Sequence, residues 1–198
     1  MSFLADFCSF QVLSKELSEK CHPFYCDDPD LREFFASDFI NYRNDLFGKS
    51  YCFTLDEDPL QIVCAFTISN DSIRANIISK TDKNRLSRRI SNQKRGLKSY
   101  PAVLIGRLGV SMNFEGKGIG RELIEFIKSW FIEPDNKTGC RFIVVDSYNK
   151  NGPIEFYLKN GFNYIFKDVE EEKRYAGILD HRHLNTRLMA YDLILISS

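Results

Sequence analysis

The chain has 198 residues, with 27 Lys+Arg against 27 Asp+Glu and 43% hydrophobic residues. That length suits a single domain, 1–198, that buries its core without disulfide or metal staples, and the apolar content with balanced charge excludes a disordered chain. No stretch approaches the roughly 20 apolar residues that span a bilayer, and MSFLADFCSF lacks the basic start of a secretory leader, so no membrane association and a cytoplasmic location are expected.

Phe3–Leu13 alternates weakly and predicts a first strand. CHPFYCDDPD then supplies turn chemistry, and Asp30 with Glu33 three residues on has the pattern of a capping box. Leu31, Phe34, Phe35, Asp38, Phe39, Tyr42 and Leu46 follow near helical spacing, with Gly48 as terminator, and this aromatic stripe reads as core packing. Ser50–Leu55 and Gln61–Ser69, joined by Asp56–Pro59, predict a hairpin, and Ser72–Ile78 a further short strand.

Between Lys80 and Lys98 eight basic residues face Asp82 alone, so the remainder of the chain is net acidic. Such a concentration suits a polyanion such as RNA, because each Lys or Arg that meets a phosphate releases condensed counterions. Arg85, Arg88, Arg89, Lys94 and Arg95 are the candidate contacts. The plain alternative is a solvated loop without a partner.

Tyr100–Val110 is almost wholly apolar, as a strand covered on both faces would be. Ile119–Phe131 places Ile119, Leu123, Ile127 and Trp130 on one helical face, and Glu133-Pro134 stops it. Arg141–Asp146 predicts a buried strand, Pro153–Asn160 a helix ended by Gly161, and Phe162–Phe166 and Thr186–Ile196 the last two strands. This interleaving predicts an α+β layer fold with a mixed sheet.

The six cysteines form no CxxC pair, and only His22 stands between Cys21 and Cys26 as a further soft ligand, so free thiols and no metal site are expected. His181 and His183 fall in the polar run LDHRHLN, a setting for solvated rather than catalytic side chains.

The segment Leu108–Leu123, LGVSMNFEGKGIGREL, puts Gly116, Gly118 and Gly120 between an apolar strand and an amphipathic helix. Glycines there admit φ > 0 and a close backbone approach, and free N–H groups at a helix N-terminus attract a phosphate or diphosphate. Lys117 and Arg121 add positive charge. Lys117 is followed by Gly118 instead of Ser or Thr, which disfavours a Walker NTPase, and the late position of the loop argues against a dinucleotide fold. An ordinary tight strand-to-helix turn is the plain alternative.

With RFIVVDSYN and NGPIEFYLKNGFNYIF downstream, the region Pro101–Phe166 resembles the GNAT superfamily of acetyl-CoA-dependent N-acetyltransferases. The family's loop pattern Q/R-x-x-G-x-G/A is met at Gly118 and Gly120, with Glu115 in place of the first residue, and the FY pair before Gly-aromatic is met by Phe156-Tyr157 and Gly161-Phe162. FYCDDPDLREFF, GKSYCF and TRLMAYDLI are similar to the toxin-type branch of toxin–antitoxin pairs, which acetylates aminoacyl-tRNA.

The resemblance implies a GNAT fold with a mixed, mostly antiparallel sheet flanked by helices, and acetyl-CoA as cofactor. It implies that Leu108, Gly109 and Val110 line pantetheine, with a backbone N–H near Val110 facing the thioester oxygen. Glu115, Gly116, Lys117, Gly118, Ile119, Gly120 and Arg121 would form the diphosphate loop, and Tyr157 would be the general acid. Aminoacyl-tRNA, an antitoxin and a second copy of the chain are the implied partners. A small-molecule or protein amine as acceptor, and an acyl-CoA-binding module without catalysis, are the competing readings.

Overall fold

The computed structural model of the chain describes residues 2–178 and 182–197. In chain order it contains α1 (Phe3–Phe7), β1 (Cys8–Val12), α2 (Lys15–Lys20), α3 (Pro29–Glu33), a π-helical turn (Phe34–Asp38), α4 (Phe39–Asn44), β2 (Lys49–Leu55) and β3 (Ile62–Ile73). There follow α5 (Lys80–Leu86), β4 (Tyr100–Val110), α6 (Ile119–Ile132), β5 (Phe142–Tyr148), α7 (Asn151–Lys159), β6 (Asn163–Tyr164), α8 (Val169–Ala176) and β7 (Thr186–Asp192). The strands form one seven-stranded sheet in the order β1-β2-β3-β4-β5-β7-β6. Strands β4 and β5 run parallel, whereas β2 lies antiparallel to β1 and β3, and β7 antiparallel to β5 and β6. This is the mixed α+β layer expected.

Two compact units share the chain: Met1–Ser69 with Ile105–Ser129, and Asn70–Leu104 with Trp130–Ser198. The first has a core of Leu13, Phe34, Phe35, Phe39, Cys52, Ile62 and Ala65, so the aromatic members of the stripe are core packing as their spacing suggested, whereas Leu46 is 90% exposed. The second packs Ile73, Tyr100, Ala102, Phe142, Val144, Ile165, Phe166 and Ala190 together.

Several predicted boundaries move, each for a local reason. Phe3–Phe7 is helical instead of extended because Ser2 caps it, its hydroxyl accepting from the Ala5 amide, and the strand begins only at Cys8. Asp28, not Asp30, caps α3: its carboxylate accepts from the Asp30 and Leu31 amides at 2.8 and 3.2 Å, with Pro29 at the first helical position. The run through α4 ends before Gly48. Leu46 takes the left-handed conformation (φ 60°), and the Phe47 amide reaches back to the Tyr42 carbonyl at 3.0 Å. Gly48 is needed for another reason, since a Cβ there would lie 2.6 Å from both Ser69 Oγ and Tyr42 Cε1.

The strand expected at Ser72–Ile78 is the tail of β3, which ends at Ile73, while Ala75 and Ile78 stay buried in the second core without strand structure. The Phe162–Phe166 strand shortens to Asn163–Tyr164. The last strand stops at Asp192, whose carboxylate caps a 3-10 turn at Leu193–Leu195. Helices α2 and α8 were not expected. In α8 the sequence VEEEKRYA hides a buried face, because Glu172 is only 3% exposed and pairs with Arg187 at 2.6 Å. Among the described residues no helix is long and apolar enough to cross a membrane.

Candidate functional site

In the first unit, β4 delivers the chain to the glycine loop. The Ser111 amide donates to the Val63 carbonyl of β3 at 2.9 Å, and the Met112 amide to the Tyr25 carbonyl at 2.8 Å. Successive N–H groups along a strand point to opposite edges. The bond from Ser111 to β3 therefore turns the Val110 N–H toward the other edge. Gly109 faces the aromatic core, where a Cβ would lie 3.3 Å from the Phe24 ring and 3.6 Å from Phe35. Leu108 and Val110, both half-buried, alternate onto the other face.

A 3-10 turn at Met112–Phe114 leads to Glu115, and Gly116 and Gly118 adopt φ of 71° and 81°. Helix α6 then begins, with the Arg121 and Glu122 amides both donating to the Gly118 carbonyl at 3.0 and 3.1 Å. Between these closures the amides of Gly116, Lys117, Gly118, Ile119 and Gly120 make no hydrogen bond among the described residues. Five adjacent N–H groups without partners, the last two on the first residues of a helix of 14, form a donor set suited to a tetrahedral anion. The Lys117 ammonium donates to the Asn113 carbonyl at 2.9 Å and lies 5.2 Å from the Phe114 ring centroid, while Arg121 and Glu115 are exposed. The site residues from Leu108 to Arg121 are thus brought into one continuous strand–loop–helix.

Tyr157 belongs to the second unit, on α7, and is half-buried. Its ring meets Phe156 and Phe162 edge-on, with centroids 5.1 and 5.3 Å away. Burial pushes its phenol well above the ordinary tyrosine range, so the hydroxyl keeps its proton at neutral pH.

The basic segment is folded. Arg85 is half-buried, paired with the buried Asp82 at 2.9 Å and donating to the Ile165 carbonyl. Arg95 donates through Nε to the Ile90 carbonyl at 2.9 Å and also reaches the Arg88 carbonyl. Arg88, Arg89 and Lys94 are exposed and make no ion pair among the described residues. Two of the five candidate RNA contacts therefore hold the segment together, and three carry cations that face water.

A cavity of about 570 Å³ in the second unit was not anticipated from sequence; its walls include Asp71, Asp146, Glu172, Tyr175, His183 and Leu188. Partial desolvation raises the Asp146 carboxyl above the usual range and the Asp71 charge adds to that, although Asp146 stays exposed at the cavity wall. These residues are scattered over β3, β5, α8, β7 and the segment before β7, and no spacing in the sequence links them. His181 lies outside the described residues; His183 is exposed, and His22 pairs with Asp58 at 3.5 Å. All six cysteines are free thiols, and no group of three or more His, Cys, Asp or Glu among the described residues could hold a metal ion. Burial raises Cys8 and Cys140 to about 11.

Residues 85–164 match the model of the acetyltransferase (GNAT) domain family. No curated protein matches the sequence. Among solved structures the chain is similar to a tyrosine-to-phenylalanine mutant of KacT, at 16% identity over 96% of this chain and 98% of that one, with a TM-score of 0.69. It is also similar to AtaT complexed with acetyl-methionyl-tRNAfMet, at 14% identity, 96% coverage of both chains and a TM-score of 0.68. A third is a mutant of the toxin AtaT bound to the C-terminus of the antitoxin AtaR and acetyl-CoA, at 14% identity, 98% and 100% coverage and a TM-score of 0.64. The chain has the GNAT fold.

Proposed function

We propose that this chain is an acetyl-CoA-dependent N-acetyltransferase acting on the amino group of aminoacyl-tRNA, as the toxin of a toxin–antitoxin pair working in the cytoplasm. The observation that carries the reading is the run of five unpartnered amides from Gly116 to Gly120. They offer a diphosphate the hydrogen bonds that the helix lacks, with Arg121 beside them and Lys117 above Phe114. The Glu115 carboxylate is an unfavourable charge, and its exposure lets water screen it.

Acetyl-CoA supplies a thioester carbonyl whose oxygen gains negative charge when an amine attacks the carbon. The Val110 N–H, turned away from β3, is the donor assigned to that oxygen, and Leu108 and Gly109 complete the pantetheine wall. Val110 sits at the end of β4 past its ladder with β5, which covers Ala102↔Phe142 to Leu104↔Val144. Tyr157 is assigned to protonate the departing thiolate sulfur. No side chain is assigned as base, because the α-amine of an aminoacyl ester has a low pKa for an amine, which makes a strong base less necessary. Support for the acceptor comes from the acetyl-methionyl-tRNA held by AtaT and from the free cations of Arg88, Arg89 and Lys94. An antitoxin and a second copy of the chain are the proposed protein partners.

The deciding experiment adds purified protein to a coupled translation reaction. Translation should stop only when acetyl-CoA is present, and the recovered charged tRNA should carry an acetylated α-amine. Acetyl-CoA turnover on small amines with charged tRNA untouched would replace tRNA as the acceptor.

The RNA surface has its own test. Reversing Arg88, Arg89 and Lys94 to Glu should weaken tRNA binding and flatten its salt dependence by about one unit of slope for each phosphate no longer engaged. The single changes Arg85→Glu and Arg95→Glu should instead lower thermal stability, since both guanidinium groups bind carbonyls inside the fold. Filter binding across a salt series reads the first effect and thermal melting the second. Unchanged binding by the triple variant removes this face from the RNA interface.

A further inference from the structure

Helix α1 stands at both ends of the glycine loop. Before the loop, the Phe3 ring lies 5.8 Å from Phe114, the ring over which the Lys117 ammonium sits at 5.2 Å. After the loop, the Glu122 carboxylate accepts from the Ser2 hydroxyl and the Leu4 amide, both at 2.9 Å. The backbone amide of the same Glu122 closes the loop onto the Gly118 carbonyl. Leu4 is 2% exposed, and the Asp56 amide donates to the Phe7 carbonyl at 2.9 Å, so the short helix is itself anchored at its far end. Burial alone would raise the Glu122 carboxyl, but the Leu4 and Phe3 amides and the Ser2 hydroxyl outweigh it and hold the group below its ordinary range. The contact is therefore made by a carboxylate.

We propose that α1 is a clamp on the coenzyme loop, and that Phe3, Phe114 and Glu122 are positioning residues for the diphosphate. This rests on the reading of Gly116–Gly120 as the diphosphate cradle. The physical reason lies in the loop itself. Five amides without partners and two glycines at positive φ give it little internal bonding to hold one shape. A loop ordered only on binding loses affinity to that ordering, whereas one held from outside does not. Phe3 and Glu122 supply the hold from residues that need never touch the coenzyme.

The test compares acetyl-CoA with S-acetylpantetheine, which carries the thioester but no diphosphate, using charged tRNA as acceptor. Phe3→Ala and Glu122→Ala should each lower kcat/KM for acetyl-CoA by roughly tenfold. Both variants should leave kcat/KM for S-acetylpantetheine within about twofold of the parent chain. Phe3→Leu and Glu122→Gln, which keep an apolar group and an acceptor oxygen, should recover most of that activity. Equal reductions on both substrates, or none on either, overturn the clamp. If either alanine variant melts early, Ser2→Ala, which removes the hydroxyl's bond to Glu122 and its cap on the Ala5 amide but keeps both the Phe3 ring and the Glu122 carboxylate, is held to the same ratio. A parent chain that binds no acetyl-CoA by calorimetry, or treats the two thioesters alike, defeats the cradle reading itself and is told apart from failure of the clamp.

Discussion

Tyr157→Phe is expected to lower kcat by about 10²-fold or more while leaving acetyl-CoA affinity unchanged. The substitution removes one oxygen and keeps the ring, so the edge-on contacts with Phe156 and Phe162 survive and the fold is unaffected. An ordinary phenol titrates near ~10 and a thiol near ~8.5, so proton transfer to the thiolate is already uphill. Burial raises the Tyr157 phenol further, which makes the donor weaker but keeps it protonated. A folded value above the unfolded one favours the neutral phenol, and that contribution disappears only as pH rises through the folded value. The basic limb of the kcat profile assigned to this group should therefore lie above the ordinary tyrosine range. Single-turnover measurements with saturating acetyl-CoA read the chemical step directly. Turnover within about twofold of the parent would leave Tyr157 a packing aromatic and return the thiolate proton to water.

Gly118→Val should weaken acetyl-CoA binding by about 100-fold with little change in thermal stability. Nothing lies within 4 Å of a Cβ placed there, so crowding is not the cause. The cause is φ of 81°, a conformation that costs an L-residue about 1–2 kcal/mol and a β-branched one more. The chain escapes that cost by rotating the backbone, which swings the Gly118 and Ile119 amides off their common target. Losing one or two hydrogen bonds to a charged group, at about 1.5–3 kcal/mol each, corresponds to roughly 100-fold in affinity. Gly118→Ala, free of β-branching, should weaken binding about tenfold. Calorimetry with acetyl-CoA measures both. Binding by the valine variant within about threefold of the parent would mean the loop amides do not carry the diphosphate.

These two positions are readable from sequence to different depths. The three glycines between an apolar strand and an amphipathic helix mark the proposed anion loop, because φ > 0 and helix amphipathicity are local properties. Tyr157 is reached only through the resemblance of the FY pair to the GNAT superfamily. Its raised phenol depends on burial in the folded chain that no spacing rule supplies. Arg85 and Arg88 look alike in the basic segment, yet one is consumed by Asp82 and the Ile165 carbonyl while the other faces water.

The α+β class, the strand at Tyr100–Val110, the helix from Ile119 and the aromatic core residues are legible in the bare chain, because all of them follow from periodicity over neighbouring residues. Only the folded chain makes Glu172 a buried partner of Arg187 and sets Ser2 and Leu4 against Glu122 beside the glycine loop. Those outcomes turn on contacts between residues 15 to 120 positions apart. A side chain's local sequence carries no record of which distant carbonyl or carboxylate will be beside it after folding.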